Sequence, residues 1–495
     1  MMKNLIPVLV LFLLAGCAAS KKYDPARKFA PWELQKDYEI FRNVLEESHP
    51  SLYWYTPKDS MDYYFELGAS KLKDSLSEYK FRYVLSYVLA QIKCGHTSVK
   101  PSKAAVKYAE RSRGYTFPLG VKLWKDTVVI TSNLNRNDSI LKRGYLLQSI
   151  EGKPVQTIVD TFFRHLSADG YNTTHKYQTL SNPGVFRTMY SALFGLHLKM
   201  NIEYLDASGE LKTDSLPVYS PVADTLSVRM PIPSPSKKEV RHQYLLSVRN
   251  MRIDSSLNTA FMEVNSFTKE NKLRGFLRHS FKQIRKQRIQ NLVIDMRGNG
   301  GGNVMLSNLL TAYIADKPFK IADSLYALRK KSSYGEYIQN NFFNRLFFMT
   351  MMHKKSDGHY HFTWFEHRYF KPKKKNHFNG NTYVLIGGNT FSAATIFVRS
   401  IKGQPDVTVV GEETGGSTYG NTAWLIPDVT LPYTKVRFRL PLLRLVSDKN
   451  ERKGNGVIPD VQVLPTVDAI RRNADYKMDK VIQLIKAQQN KSVQR

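Results

Sequence analysis

Cysteine is nearly absent: the 495-residue chain holds only Cys17 and Cys94. Cys17 closes an apolar leader, so no disulfide can form within a mature chain and the fold must rest on its core. Cys94 then reads as an unpaired, buried thiol, because a reactive one needs an accessible, electropositive setting. His96 lies two residues on. Two such residues on a strand share a face, but that spacing alone does not make a Cys–His nucleophile. Long apolar runs are also missing beyond Leu5–Leu14, which is too short to span a bilayer. Acidic side chains are scarce: 42 Asp and Glu stand against 73 Lys and Arg, a net charge of +31. Such an excess often marks a nucleic-acid binder. Here the cations are spread along the chain, with no zinc-finger spacing or aromatic RNA motif, so no nucleic-acid partner is expected. A basic surface facing anionic lipids or cell-wall polymers fits better. The densest run, Lys371 and Lys373 to Lys375, reads as a solvated loop. His359 and His361 have no third ligand at a usual spacing, and no Gly-Lys-Ser/Thr follows the glycine run. Neither a metal nor a cofactor is expected.

What is present begins with an address. Lys3 precedes the apolar run, which ends in Leu14-Ala15-Gly16-Cys17. This resembles the lipobox of bacterial lipoproteins, in which Cys17 would be acylated and become the first residue. The resemblance implies a bacterial cell-envelope protein, lipid-anchored at the periplasmic face or outer membrane.

Aromatic residues make up 12% and hydrophobic ones 42% of the chain, enough for several cores. Trp32, Leu34, Tyr38, Phe41, Val44 and Leu45 recur at helical spacing, and further helices are expected over Ser60–Lys73 and Glu78–Ile92. Short alternating strands follow from about residue 115. Val121–Leu123, Val128–Ile130 and the Gly-turned stretch Leu141–Val155 resemble a PDZ domain, which binds peptides by strand addition. A Pro-rich connector spans Met230–Pro235. Beyond it, the apolar strands Asn291–Asp295, Tyr383–Ile386 and Val407–Val410 alternate with helices Val304–Ala315 and Ser392–Ile401. That pattern indicates a largely parallel sheet. The expected organisation is a leader (1–16), a helical region (17–110), a PDZ-like domain (111–175), a β-rich connecting region (176–250), an α/β domain (251–475) and a C-terminal helix with tail (476–495).

Two strand-to-helix junctions carry the chemistry. Asp295-Met296-Arg297-Gly298-Asn299-Gly300-Gly301-Gly302-Asn303 can turn tightly and present free amides. Gly387-Gly388-Asn389-Thr390-Phe391-Ser392-Ala393-Ala394 puts a serine at a helix start, where it either caps the helix or points into a crevice. Both are followed, in order, by Gly411-Glu412-Glu413-Thr414-Gly415-Gly416 and Gly456-Val457-Ile458-Pro459-Asp460. The set resembles the carboxyl-terminal processing peptidases and their relatives, the tricorn core and the interphotoreceptor retinoid-binding protein. This resemblance implies a crotonase-like α/β core and a serine endopeptidase acting on peptides or proteins through an acyl-enzyme. It assigns Ser392 as nucleophile and the amides of Gly301 and Ala393 as oxyanion hole. Ser417 stands where the processing branch has its lysine, so the base implied is the histidine of the tricorn-like branch, matched by Gly95-His96-Thr97. The acidic member is Glu451, with Asp448 as the alternative. Two other readings stay open: a non-catalytic lipoprotein of the same fold binding peptides or hydrophobic ligands, and an envelope scaffold using its basic surface.

Overall fold

The computed structural model describes residues 23–112, 114–221 and 235–493. Cys17 and most of the Met230–Pro235 connector lie outside them.

The helices Pro31–Ser48, Lys58–Ala69 and Glu78–Gln91 bury the stripes that their spacing requires, including Leu34, Phe41, Val44, Phe65, Phe81 and Leu85. Their partner surface comes from the other end of the chain. One core joins them to Leu325, Phe438, Leu443 and Leu445, with the rings of Phe41 and Phe438 edge-to-face at 5.1 Å. The buried Asp37 carboxylate accepts from the Tyr433 and Thr434 amides and from the Thr434 hydroxyl. The helical region therefore shares a core with the C-terminal half instead of standing apart from it. After the third helix the short strand Val99–Lys100 pairs with Arg437–Phe438, and the Arg439 amide donates to the Ser98 carbonyl. This pairing brings the Gly95–Thr97 segment into the C-terminal half.

The antiparallel sheet of the next region runs, in spatial order, Leu119–Trp124, Thr127–Asn133, Leu146–Ile150, Lys199–Leu205, Leu211–Pro217. Two expected boundaries are corrected here. The one at 175/176 falls inside helix Thr173–Ser181, whose Leu180 packs in the same core as Val121 and Ile150. Strands 199–205 and 211–217 complete the sheet begun at residue 119, so 176–217 is part of this unit. The boundary at 250/251 cuts strand Arg249–Asp254, which pairs with Thr259–Val264.

The central sheet has the order Arg249–Asp254, Thr259–Val264, Asn291–Asp295, Asn381–Ile386, Val407–Gly411, Val461–Gln462. Its first pair is antiparallel and the others are parallel. Successive side chains alternate between two cores, as strand geometry demands. Leu292, Ile294, Val384 and Ile386 face helices Leu273–Lys286, Val304–Ala312 and Ala393–Ile401. Val293, Tyr383 and Leu385 face helix Tyr476–Val493 through Val481 and Ile485. Burial on both faces explains why these strands read as continuous apolar runs. Because Asn291–Asp295 and Asn381–Ile386 are adjacent and parallel, the loops leaving their carboxyl ends stand side by side. Ligands bind at that edge in open α/β sheets.

Candidate active site

The two loops are laced together. The Thr390 hydroxyl donates to the Met296 carbonyl (2.8 Å), the Phe391 amide to Asn299 O (3.0 Å), and Asn299 Nδ2 to Val264 O (2.8 Å). The Thr414–Gly416 turn hangs from the same Thr390: the Gly415 and Gly416 amides donate to its carbonyl. Segment Gly456–Asp460 closes this turn from outside, with the Gly456 and Val457 amides donating to Glu413 and Thr414.

Ser392 follows Phe391 with φ 54° and ψ −121°, a strained backbone for a residue with a Cβ. Its side chain makes no capping bond to helix Ala393–Ile401, which excludes the capping role. Gly301 (φ 97°) lies so close that a Cβ there would sit 2.7 Å from Ser392 Cβ and 2.9 Å from the Ala393 nitrogen. Only glycine permits that approach. Of the two expected oxyanion donors, the Ala393 N–H has no acceptor among the described residues. The Gly301 N–H is committed to Asn299 Oδ1 at 2.8 Å. The expectation for Gly301 is corrected accordingly: its backbone shapes the wall, while the Gly302 N–H next to it has no acceptor among the described residues.

Ser392, His96, His175, Arg439 and the glycines 300–302 line one cleft of about 830 Å³. Residues 96 and 392, almost three hundred positions apart, thus face the same space. The His96 ring rests on Phe391 with centroids 4.8 Å apart, and His175 packs on Phe391 at 4.8 Å. A Cβ on Gly95 would strike Phe391 at 2.6 Å, so the glycine before His96 is required too. Neither His96 nitrogen has a hydrogen-bond partner among the described residues, Ser392 included. Burial, reinforced by the Arg439 and His175 charges, pushes the His96 pKa down to about 3. The imidazole is therefore neutral at physiological pH.

Neither carboxylate expected from the sequence lines the cleft with His96. Glu451 is exposed and lines no part of the cleft. Asp448 sits 3.6 Å from Arg399 and accepts from the Asn450 amide. Instead, Asp169, which sequence reasoning missed, places Oδ1 4.0 Å from His96 Nδ1. The same oxygen accepts the Gly95 N–H at 2.8 Å, and Oδ2 has no partner among the described residues. Burial raises the Asp169 pKa to about 6, opposed by the Gly95 amide, the Arg444 charge and the Ser417 amide. In sequence Asp169-Gly170 looks like an ordinary turn. His175 was also missed; its Nδ1 lies 2.7 Å from the Gly388 carbonyl.

Ser417 is buried and its hydroxyl has no partner among the described residues. Among the described residues no lysine lines the cleft. Cys94 is buried against the Thr422 hydroxyl at 2.7 Å, and burial pushes its thiol pKa up, which removes it as a nucleophile.

A strained serine at a strand-to-helix turn, opening beside a neutral histidine and an unengaged amide, defines a serine-type peptidase. Residues 258–463 match the model of peptidase family S41. Among solved structures, it resembles mature CPAF complexed with lactacystin, at 15% identity over 92% of this chain and 98% of that one, with a TM-score of 0.63. The photosystem II D1 C-terminal processing protease (14% identity, 90% and 98% covered) and the tricorn protease (14%, 92% and 37%) each align with a TM-score of 0.39. No curated protein matches the sequence.

Proposed function

We propose that the chain is an envelope-anchored serine endopeptidase of the tricorn-like branch, working through an acyl-enzyme on Ser392. One observation carries this reading: the strained Ser392 opens its uncapped hydroxyl into the cleft that His96 shares. In the first step Ser392 Oγ attacks the scissile carbonyl carbon while His96 takes its proton. The carbonyl oxygen becomes an oxyanion facing the Ala393 N–H and an amide of the glycine run, with Gly302 the unengaged donor. The C–N bond then breaks, and His96 returns the proton to the leaving amine. Water next enters, gives a proton to His96 and attacks the ester carbonyl. Ser392 leaves with that proton, and the product acid is released. Asp169 is the positioning carboxylate for His96, in place of Glu451.

The parallel sheet and its junction loops are read as a crotonase-like core. The antiparallel sheet of residues 119–217 is read as a PDZ-like module that takes a peptide on an edge strand. Lipid on Cys17 would hold the protein to the membrane, and Cys17→Ser should release it to the soluble fraction.

The test of catalysis is Ser392→Ala and His96→Ala, each with its melting curve. Both should lose peptide hydrolysis by at least about a thousandfold while remaining folded. Full hydrolysis by purified Ser392→Ala ends the proposal. The missing Ser392–His96 hydrogen bond favours a second reading, a non-catalytic binder of the same fold. A fluorophosphonate that leaves Ser392 unlabelled while peptide still binds would establish it.

A further inference from the structure

Among the described residues nothing covers the outer face of helix Asn341–Met351. Phe342 is 73% exposed, Phe343 69%, Leu346 51% and Met349 59%. At 100° per residue, positions 342, 343, 346 and 349 fall on one apolar face, opposite the buried Phe348. Phe347 packs on the buried Phe362, which stacks with Trp364, itself 56% exposed. A soluble surface does not normally gather such side chains. Beside the helix, Arg329, Lys330, Lys331 and Arg345 line a single cleft together with Asn341 and Asn344. Of these cations, Arg329 is held by Glu47 at 3.4 Å.

We infer that this face docks on a lipid bilayer bearing anionic headgroups. The helix would lie in the interface, with its phenylalanines among the acyl chains and the neighbouring cations on the phosphates. Charge argues for this occupant: on the helix, Arg345 stands one turn before Met349, at the flank of the apolar face. An anionic surface complements it and the neighbouring cations, in keeping with the net charge of +31. Among the described residues no helix is long and apolar enough to cross a membrane, so this contact lies on the surface. The inference is independent of the Ser392 chemistry.

The test uses the unlipidated chain from Ala18 to Arg495, which keeps every described residue. It is sedimented with vesicles of phosphatidylethanolamine and phosphatidylglycerol, and separately with phosphatidylcholine. The protein should bind the phosphatidylglycerol vesicles and release with added salt. Phe342→Ser with Phe343→Ser should weaken binding by about tenfold per phenylalanine. Lys330→Glu with Lys331→Glu should weaken it while leaving the apolar face intact. Both variants should keep the wild-type melting curve and hydrolyse a soluble peptide as before, which separates this result from the fate of the peptidase reading. Absence of vesicle binding, binding indifferent to either pair of substitutions, or a dimer in light scattering that the phenylalanine pair abolishes would each overturn the inference.

Discussion

At the scale of single residues, Asp169 separates activity from stability. Its folded pKa, raised to about 6, lies above the usual carboxylate value, so the folded state holds that proton more tightly than the unfolded chain. Its contribution is therefore most favourable at low pH, declines as the pH rises to about 6, and leaves a cost of about 1–3 kcal/mol at neutrality. Asp169→Asn keeps an acceptor for the Gly95 amide and removes the charge. It should melt higher than wild type at pH 7, yet lose about a hundredfold or more in kcat with little change in KM, because His96 loses its orienting charge. The acid limb of the rate profile near pH 6 should vanish with it, and Asp169→Glu should restore part of the rate. An unchanged limb in Asp169→Asn removes Asp169 from the mechanism. None of this was legible in the sequence. That Ser392 and His96 would face one cleft was legible only through the ordered set of glycine-bearing motifs, which resembles a known peptidase family. Asp169 is brought to His96 by hydrogen bonds between two loops, the Gly170 amide donating to the Lys93 carbonyl and the Gly95 amide to the Asp169 carboxylate. Glu451 was misplaced because a carboxylate's spacing along a loop says nothing of the direction in which it points.

Among elements, the junction loops depend on how tightly the glycine wall meets the serine helix. Gly301→Ala would drive a methyl onto Ser392 Cβ in a backbone region that disfavours alanine. Activity should fall by at least about a hundredfold, with a loss of about 2–4 kcal/mol in denaturant unfolding. Wild-type kinetics in that variant would show the contact to be slack. Helix Tyr476–Val493 also supports the serine turn. The buried Lys477 ammonium pairs with Glu412 at 2.6 Å and donates to the Ile386 carbonyl at the end of the serine strand. Lys477→Ala leaves Glu412 buried without its cation and should cost about 3–5 kcal/mol, read from urea midpoints. The strands of the central sheet were legible because burial on both faces makes them uniformly apolar. The boundaries at 175 and 250 were not, since the pairing of 199–217 with 146–150 and of 249–254 with 259–264 leaves no mark in local composition.

For the molecule as a whole, buried neutral histidines set the response to acid. His49 and His96 are both pushed down to about 3 by burial. Their folded pKa values lie below the unfolded 6.5, so their stabilising share is complete above pH 6.5 and shrinks as the pH falls toward 3. Each loses about 1.4 kcal/mol per pH unit. Between about pH 4 and 6 Asp169 works the other way, leaving a net loss of about 1.4 kcal/mol per unit from these three groups, to which His165, lowered to about 4 by burial, adds. The melting temperature should thus drop on acidification from pH 7 to 5, and His49→Gln should flatten the slope. A flat profile in the wild type would show that these rings gain protons without unfolding. Long-range order has another outcome. Because Val99–Lys100 pairs with Arg437–Phe438, the cleft that His96 and Ser392 share needs nearly the entire polypeptide to form. A chain that ends before residue 437 carries both side chains but lacks the strand that seats His96, so on the proposed mechanism it should cut neither its neighbours nor itself before folding is complete.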